Sequence, residues 1–374
     1  MIPIIRPWLG QQEAQAAYDA VMSGWVAQGP KVLEFERAFA DHLGVAAAVA
    51  VSSATTGLHL ALYAAGVRAG DEVVCPSLSF IATANAVQYC GATPVFADVD
   101  ARSQNLTPAS IAAVLTAKTR AVLLVHQVGM PADIGAIRGL LPPSVALVED
   151  AACAIGSTYR GALIGRHSPQ AVFSFHPRKL VTTGEGGMIA LQDPDVAAHL
   201  RILRQHGMSL SDVARHQSQT FVLEQYEELG WNYRMTDIQA AIGLVQLGKL
   251  PAMVAARRLQ ADSYRQLLCH RQDLLLPEDP PWGTTNYQSY CIKLLNPRVD
   301  RNKVLQRLMD RQIGAKRGIM AAHLEKTYAK QRHASLPETE IWTHRSLVLP
   351  MFHDITLAQQ QTVATALEQS LIEG

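Results

Sequence analysis

The chain has 374 residues, with 33 Lys and Arg against 32 Asp and Glu, a net charge of +1 and a pI near 7.8. That balance excludes binding to nucleic acid through a broad basic face. Hydrophobic residues make up 48% and charged residues 17%, so the chain has the material for a large core and is not disordered.

Between residues 45 and 191, short apolar runs alternate with amphipathic stretches. The runs are 46–53, 71–77, 92–99, 120–127, 144–150, 170–175 and 187–192. Each is apolar on consecutive positions and rich in β-branched residues, as a strand buried on both faces reads. Between them, 55–66 places Leu58, Leu62 and Ala65 on one helical face and stops at Gly66. The segment 107–117 opens with a Thr107 cap and Pro108. The alternation predicts an α/β domain with a mostly parallel sheet of about seven strands. Residues 193–217 read as charged and helical, and 218–228 as a polar loop. A helix is expected from Thr236-Asp237 to a break at Pro251, then another over 252–271. A proline-rich loop at 276–283 leads to a strand near 287–295 and helices near 300–311 and 356–371. Roughly 100–200 residues per domain suggests two, a large one over 1–245 and a smaller α/β unit over 246–374.

No apolar run approaches the ~18 residues of a membrane span. The opening MIPIIRPWLG has neither an apolar signal region nor a small-residue cleavage site. Cys75, Cys90, Cys153, Cys269 and Cys291 form no CxxC pair, so no metal site and no disulfide framework is expected. The expectation is a cytoplasmic protein with no membrane or nucleic-acid partner.

In open α/β sheets the site lies beyond the carboxyl ends of the strands. Polar residues there are Ser53, Pro76 to Phe80, His126, Asp150 and Ser174. Lys179 follows a strand end and precedes a glycine-rich loop; it is either a solvated lysine or an amine desolvated for nucleophilic chemistry. Asp150 closes an apolar strand, where it either caps the next segment or faces a cationic ring nitrogen. Glu149 points to the opposite side. Ser53, Ala54, Thr55 and Thr56 open a helix and form a cap or an anion site. Phe80 is a core residue or a stacking surface for a planar ring. Asn232 and Arg234 precede a strong helix, as loop-structural residues or as reach into a neighbouring subunit. No GxGxxG and no Walker sequence is present.

The motifs AVSSATTGLHLAL (50–62), VEDAACAIGS (148–157), FSFHPRKLVTTGEGGMIA (173–190) and GWNYRMTDIQAAIGLVQL (230–247) occur in one order. In that order the chain resembles the DegT-type sugar aminotransferases, a branch of the fold-type I pyridoxal 5′-phosphate enzymes, over nearly its whole length. The resemblance implies Lys179 as the cofactor-linking lysine and proton-transfer base, and Asp150 as the partner of the pyridine nitrogen. It implies phosphate contacts from Ser174, Thr55 and the Thr56 amide, with Ser53, Ala54 and His176 beside them. Phe80 would stack on the ring. Asn232 would bind phosphate in the partner subunit, making a homodimer with composite sites. Trp25, Gly184 and Glu185 would border the substrate, and Arg317 and His323, with the 208–228 loop, are candidates for sugar contacts.

Two departures stand out. Ala54 replaces the family's usual glycine, with less backbone freedom. Cys153 stands where Gln or His usually contacts the cofactor's phenolic oxygen, and a thiol is a weak donor. The implied reaction moves an amino group from an amino acid, L-glutamate, to a nucleotide-linked keto sugar, with pyridoxamine 5′-phosphate as the alternate cofactor form. Alternatives are a cyclitol or other non-nucleotide ketone, a sugar dehydratase (in which the lysine is replaced by His) and a vestigial regulatory protein.

Overall fold

The computed structural model describes residues 1–209, 223–226 and 228–372; most of the 208–228 segment lies outside these. All seven apolar runs form strands of one sheet. They are β1 (Ala47–Val51), β2 (Glu72–Pro76), β3 (Thr93–Ala97), β4 (Thr119–Val125), β5 (Ala146–Asp150), β8 (Gln170–Ser174) and β9 (Gly187–Leu191), with the short hairpin β6 (Thr158–Tyr159) and β7 (Ala162–Leu163) inserted. The order is β1-β9-β8-β5-β4-β2-β3. The pairings from β8 through β3 are parallel, and β9 runs antiparallel to both β1 and β8. The carboxyl ends of the other six strands therefore share one edge, and β9 begins there.

One sheet face packs on Phe35, Phe39, Leu250 and Met253, the other on Leu58, Leu62, Leu200 and Leu203. A second, four-stranded sheet has the order β10-β12-β14-β13. Its strands are β10 (Leu274–Leu275), β12 (Tyr290–Leu294), β13 (Lys316–Arg317) and β14 (Ser346–Leu349), while β11 (Gly283–Thr284) pairs with β6. The second sheet packs on the helices Arg301–Asp310 and Leu357–Ile372, with Tyr264 and Leu268 completing that core.

The predicted break at Pro251 does not occur. One helix, Asp237–Leu268, runs 32 residues with Pro251 inside it, and the expected boundary at 245 falls within it. Pro251 lies on the exposed side, while Leu247, Leu250 and Met253 are buried. Burial of that stripe outweighs the roughly 3 kcal/mol penalty of an interior proline. This helix is long and apolar enough to cross a membrane by length and composition alone; its buried stripe is covered by the two protein cores. The helix from Thr107 is shorter than expected and ends at Ala112.

Buried carboxylates lock the helices to the large sheet. Asp237 accepts from the backbone N–H of Gly29, Lys31 and Val32 at 2.7, 3.0 and 3.0 Å, capping the helix Pro30–Leu43 from outside it. Glu36 pairs with Arg201 and Arg204 and accepts from Ala50 N–H at 2.9 Å. Replacing Asp237 with Ala strands buried donors, so Asp237→Ala should cost about 2–4 kcal/mol in urea unfolding.

Candidate active site

A cavity of about 610 Å³ opens at the carboxyl edge of the large sheet and extends to β13 and β14. That is within the roughly 300–1,000 Å³ range of small-molecule sites. Lys179 and Asp150 both border it, although 29 residues separate them in the chain.

Asp150 is 5% exposed. Its carboxylate accepts from Thr83 Oγ1 at 2.9 Å and from Ala152 N–H at 3.2 Å, and Ser79 Oγ lies 2.7 Å from the same Thr83 hydroxyl. Burial pushes the Asp150 carboxyl up, against the opposing pull of these hydrogen bonds and of Lys179 and His126. Among the described residues no cation pairs with it, and it borders the cavity. Glu149 is turned from the cavity, fully buried, and accepts from His126 Nε2–H at 2.8 Å; His126 Nδ1 accepts from Ala132 N–H. His126 itself borders the cavity behind Asp150.

Lys179 Nζ lies 3.0 Å from Cys153 Sγ. Its peptide is held by Gln288, which accepts from Leu180 N–H at 3.1 Å and donates to Arg178 C=O at 2.6 Å. Asn286 donates to the carbonyls of Cys153 and Ile155. One segment, 286–288, therefore fixes both the lysine and the thiol.

At the other side, Ser53 caps the helix Ala54–Ala64, and its Oγ accepts from Thr56 N–H at 3.2 Å. Ser53, Ala54, Thr55 and Ser174 border the cavity; Thr56 does not. Ala54 opens the helix without a positive φ, so the missing glycine leaves no strain. Gly187 is the residue that needs to be glycine: a Cβ there would meet Ser53 C at 2.6 Å and Ala54 N at 2.7 Å. Phe80, 67% exposed, presents a free ring surface at the cavity.

Of the remaining candidates, His176, Glu185 and Arg317 border the cavity. Burial lowers the His176 pKa, with Glu185 pulling it back. Trp25, Gly184, Asn232 and His323 do not border this chain's cavity. Trp25 packs over Gly29, and Asn232 is exposed and bridged to Gln205. His323 is buried against Ser77 Oγ at 2.7 Å, which turns it into the wall. Sequence reasoning missed Thr83, Gln288 and Arg257, which carry no motif of their own and reach the cavity from three different elements.

These residues fit pyridoxal 5′-phosphate on three counts. A buried carboxylate awaits a cation. A capped helix end with Ser174 beside it offers free N–H and hydroxyl groups to a phosphate. An amine sits in the same enclosure. Together with the mixed sheet, they define the class: a pyridoxal 5′-phosphate-dependent aminotransferase. The chain belongs to the DegT/DnrJ/EryC1/StrS aminotransferase family, whose model matches residues 7–368. Among solved structures, the aminotransferase TlmJ from Streptoalloteichus hindustanus is 36% identical, with a TM-score of 0.90 over 100% of this chain and 99% of that one. DesI, solved in the presence of its TDP-sugar product, is 31% identical, with a TM-score of 0.88 over 99% and 93%. PseC of Helicobacter pylori, involved in pseudoaminic acid biosynthesis, is 25% identical, with a TM-score of 0.91 over 100% of both chains.

Two outcomes follow from this geometry. Because the folded Asp150 pKa lies above its unfolded value of about 3.9, ionisation costs stability as pH rises through that window. Cofactor-free Asp150→Asn should therefore melt at or above wild type at neutral pH, with the gap closing below about pH 4. Gly187→Ala should weaken cofactor retention, seen by titrating the visible absorbance of bound cofactor, because the added methyl displaces the Ser53-Ala54 backbone.

Proposed function

We propose that this aminotransferase moves the amino group of an amino acid, L-glutamate, to a keto sugar carried on a nucleoside diphosphate, for amino-sugar biosynthesis. The observation that carries the reading is that Lys179 and Asp150 border one cavity. When bound, pyridoxal 5′-phosphate supplies an aldehyde and a ring that accepts electrons. Lys179 would hold that aldehyde, and its Nζ would take and return the proton. Asp150 keeps a negative charge where the ring nitrogen would lie, stiffened by Thr83. Ser53, Thr55 and Ser174 would hold the phosphate, and Phe80 would offer its face to the ring. Cys153 supports the lysine side through its contact with Nζ.

The acceptor reading draws on the charge around the cavity. Arg178, Lys179, Arg257, Lys316 and Arg317 border it against Asp150 and Glu185, five cations to two acids among the described residues. Arg178, Lys316 and Arg317 are exposed, where an anionic diphosphate can reach them. A neutral cyclitol has no use for that excess. DesI, solved in the presence of its TDP-sugar product, and PseC, involved in pseudoaminic acid biosynthesis, support a sugar acceptor.

The homodimer reading rests on Asn232 and Trp25, which lie off this chain's own cavity and would complete a partner's. Exposed Tyr18, Val21, Met22 and Val26 form an apolar stretch beside Trp25 that a second copy would cover. The test is a half-reaction assay with L-glutamate followed by a panel of nucleotide keto sugars and cyclitol ketones. Ping-pong kinetics and amination of a nucleotide sugar are expected. Lys179→Ala should lose about 10²–10⁴-fold or more in turnover. Wild-type turnover in that variant rules out the proposed base, and amination of cyclitols alone replaces the acceptor.

A further inference from the structure

Arg257 is 6% exposed and projects from the helix Asp237–Leu268. Among the described residues its guanidinium has no hydrogen bond or ion pair, in contrast to its neighbour Arg258, which pairs with Asp279 at 2.8 Å. It borders the main cavity and also a second cavity of about 20 Å³ immediately beside it. Lys179 borders both. The smaller cavity is walled by Trp8, Leu180, Met253 and His353, and contains no carboxylate. Of the two acids on the main cavity, Asp150 is engaged by Thr83 and Ala152, and exposed Glu185 lies beside His176.

A buried guanidinium without a counterion is costly, and proteins seldom keep one without use for it. Burial alone lowers the Arg257 pKa, to about 10, which leaves the group charged at neutral pH. No carboxylate among the described residues serves it, which points to an anion from outside the chain. The fork geometry suits a carboxylate held by two parallel hydrogen bonds. A nucleoside diphosphate is too large for this recess and has the exposed Arg178, Lys316 and Arg317 at its disposal. The cofactor phosphate has the capped helix end across the cavity. What remains is a small anion that must come close to Lys179.

We propose that Arg257 receives a carboxylate of the amino-acid donor and so orients its amine toward the position of Lys179. This rests on the transamination reading above. The arrangement makes Arg257 a donor-selecting residue that the acceptor sugar does not need.

The test uses the holoenzyme with Arg257→Gln and Arg257→Lys. Half-saturating L-glutamate, read from the loss of cofactor absorbance, should rise about tenfold or more in Arg257→Gln, and less in Arg257→Lys, which keeps charge but loses the fork. Half-saturating acceptor in the second half-reaction should stay the same. Independently of turnover, 2-oxoglutarate should raise the wild-type melting temperature, and its dimethyl ester should not. Arg257→Gln should lose that shift. Without added anion it should melt no lower than wild type, because it gives up an unpaired buried charge. An Arg257→Gln enzyme with unchanged glutamate half-saturation and an unchanged 2-oxoglutarate shift overturns the proposal and leaves transamination standing. A wild type that no amino acid converts, but whose 2-oxoglutarate shift disappears in Arg257→Gln, keeps the carboxylate site and overturns the donor reading.

Discussion

Gly187 stands opposite Val51 on one side and Ser174 on the other, and this register is the constraint on which the site depends. Because β9 runs against its neighbours, its first residue, rather than its last, lies at the carboxyl edge of the sheet. The glycine-rich turn 184–187 can then return directly to the cavity. With no side chain at 187, the Ser53-Ala54 peptide passes within van der Waals contact of the strand. The helix that begins at Ala54 is thereby aimed at the same space that Ser174 and Asp150 face. Three elements that border the cavity converge because one residue has no Cβ.

The polar groups of the cavity fall into two kinds. Some are satisfied within the chain: Thr83 by Asp150 and Gln288 by the peptides around Lys179. These set position. Others are left open: the outer side of Asp150, the Ser53–Thr55 helix end and the Arg257 fork. Buried polar groups left open cost stability, and their concentration in one cavity marks it as built for charged ligands. The brace at 286–288 belongs to the approach to the small sheet, so the geometry of the lysine depends on the packing of both lobes.

Much of this was legible in the chain. Consecutive β-branched residues identify strands covered on both faces, and all seven formed. The motif order around Asp150 and Lys179 pointed to the residues that meet in the cavity. The helix Gln11–Met22 escaped because it buries only Glu13 and Ala20, and the cap that stabilises the helix Pro30–Leu43 comes from Asp237, about 200 residues away. Pro251 misled because local propensity predicts a break that tertiary burial overrides. Thr83, Gln288 and Arg257 were invisible for the same kind of reason: each matters through contacts of long sequence separation. His323 looked available because a histidine in a polar stretch resembles a ligand, and only the fold reveals Ser77 already bonded to it.

The small lobe is joined to the large one by covalent crossings and by a seam. The long helix Asp237–Leu268 is one crossing. The N-terminal segment is another, since Ile2 pairs beside Ile313, Ile4 accepts from Met351 N–H at 3.1 Å, and Trp8 stacks on His353. The seam is non-covalent: Ser79 N–H to Met320 C=O, Ala322 N–H to Ser77 C=O and the Ser77–His323 contact line its rim, while Asp98 accepts from Glu338 N–H and Thr339 N–H, Lys293 donates to Ala101 C=O and Tyr328 donates to Asn85 farther along it. The lip of the vestibule between Phe80 and Met320 is therefore one end of a seam tied at many points, and the room a bulky guest meets there is set by the two joined lobes together rather than by either one alone.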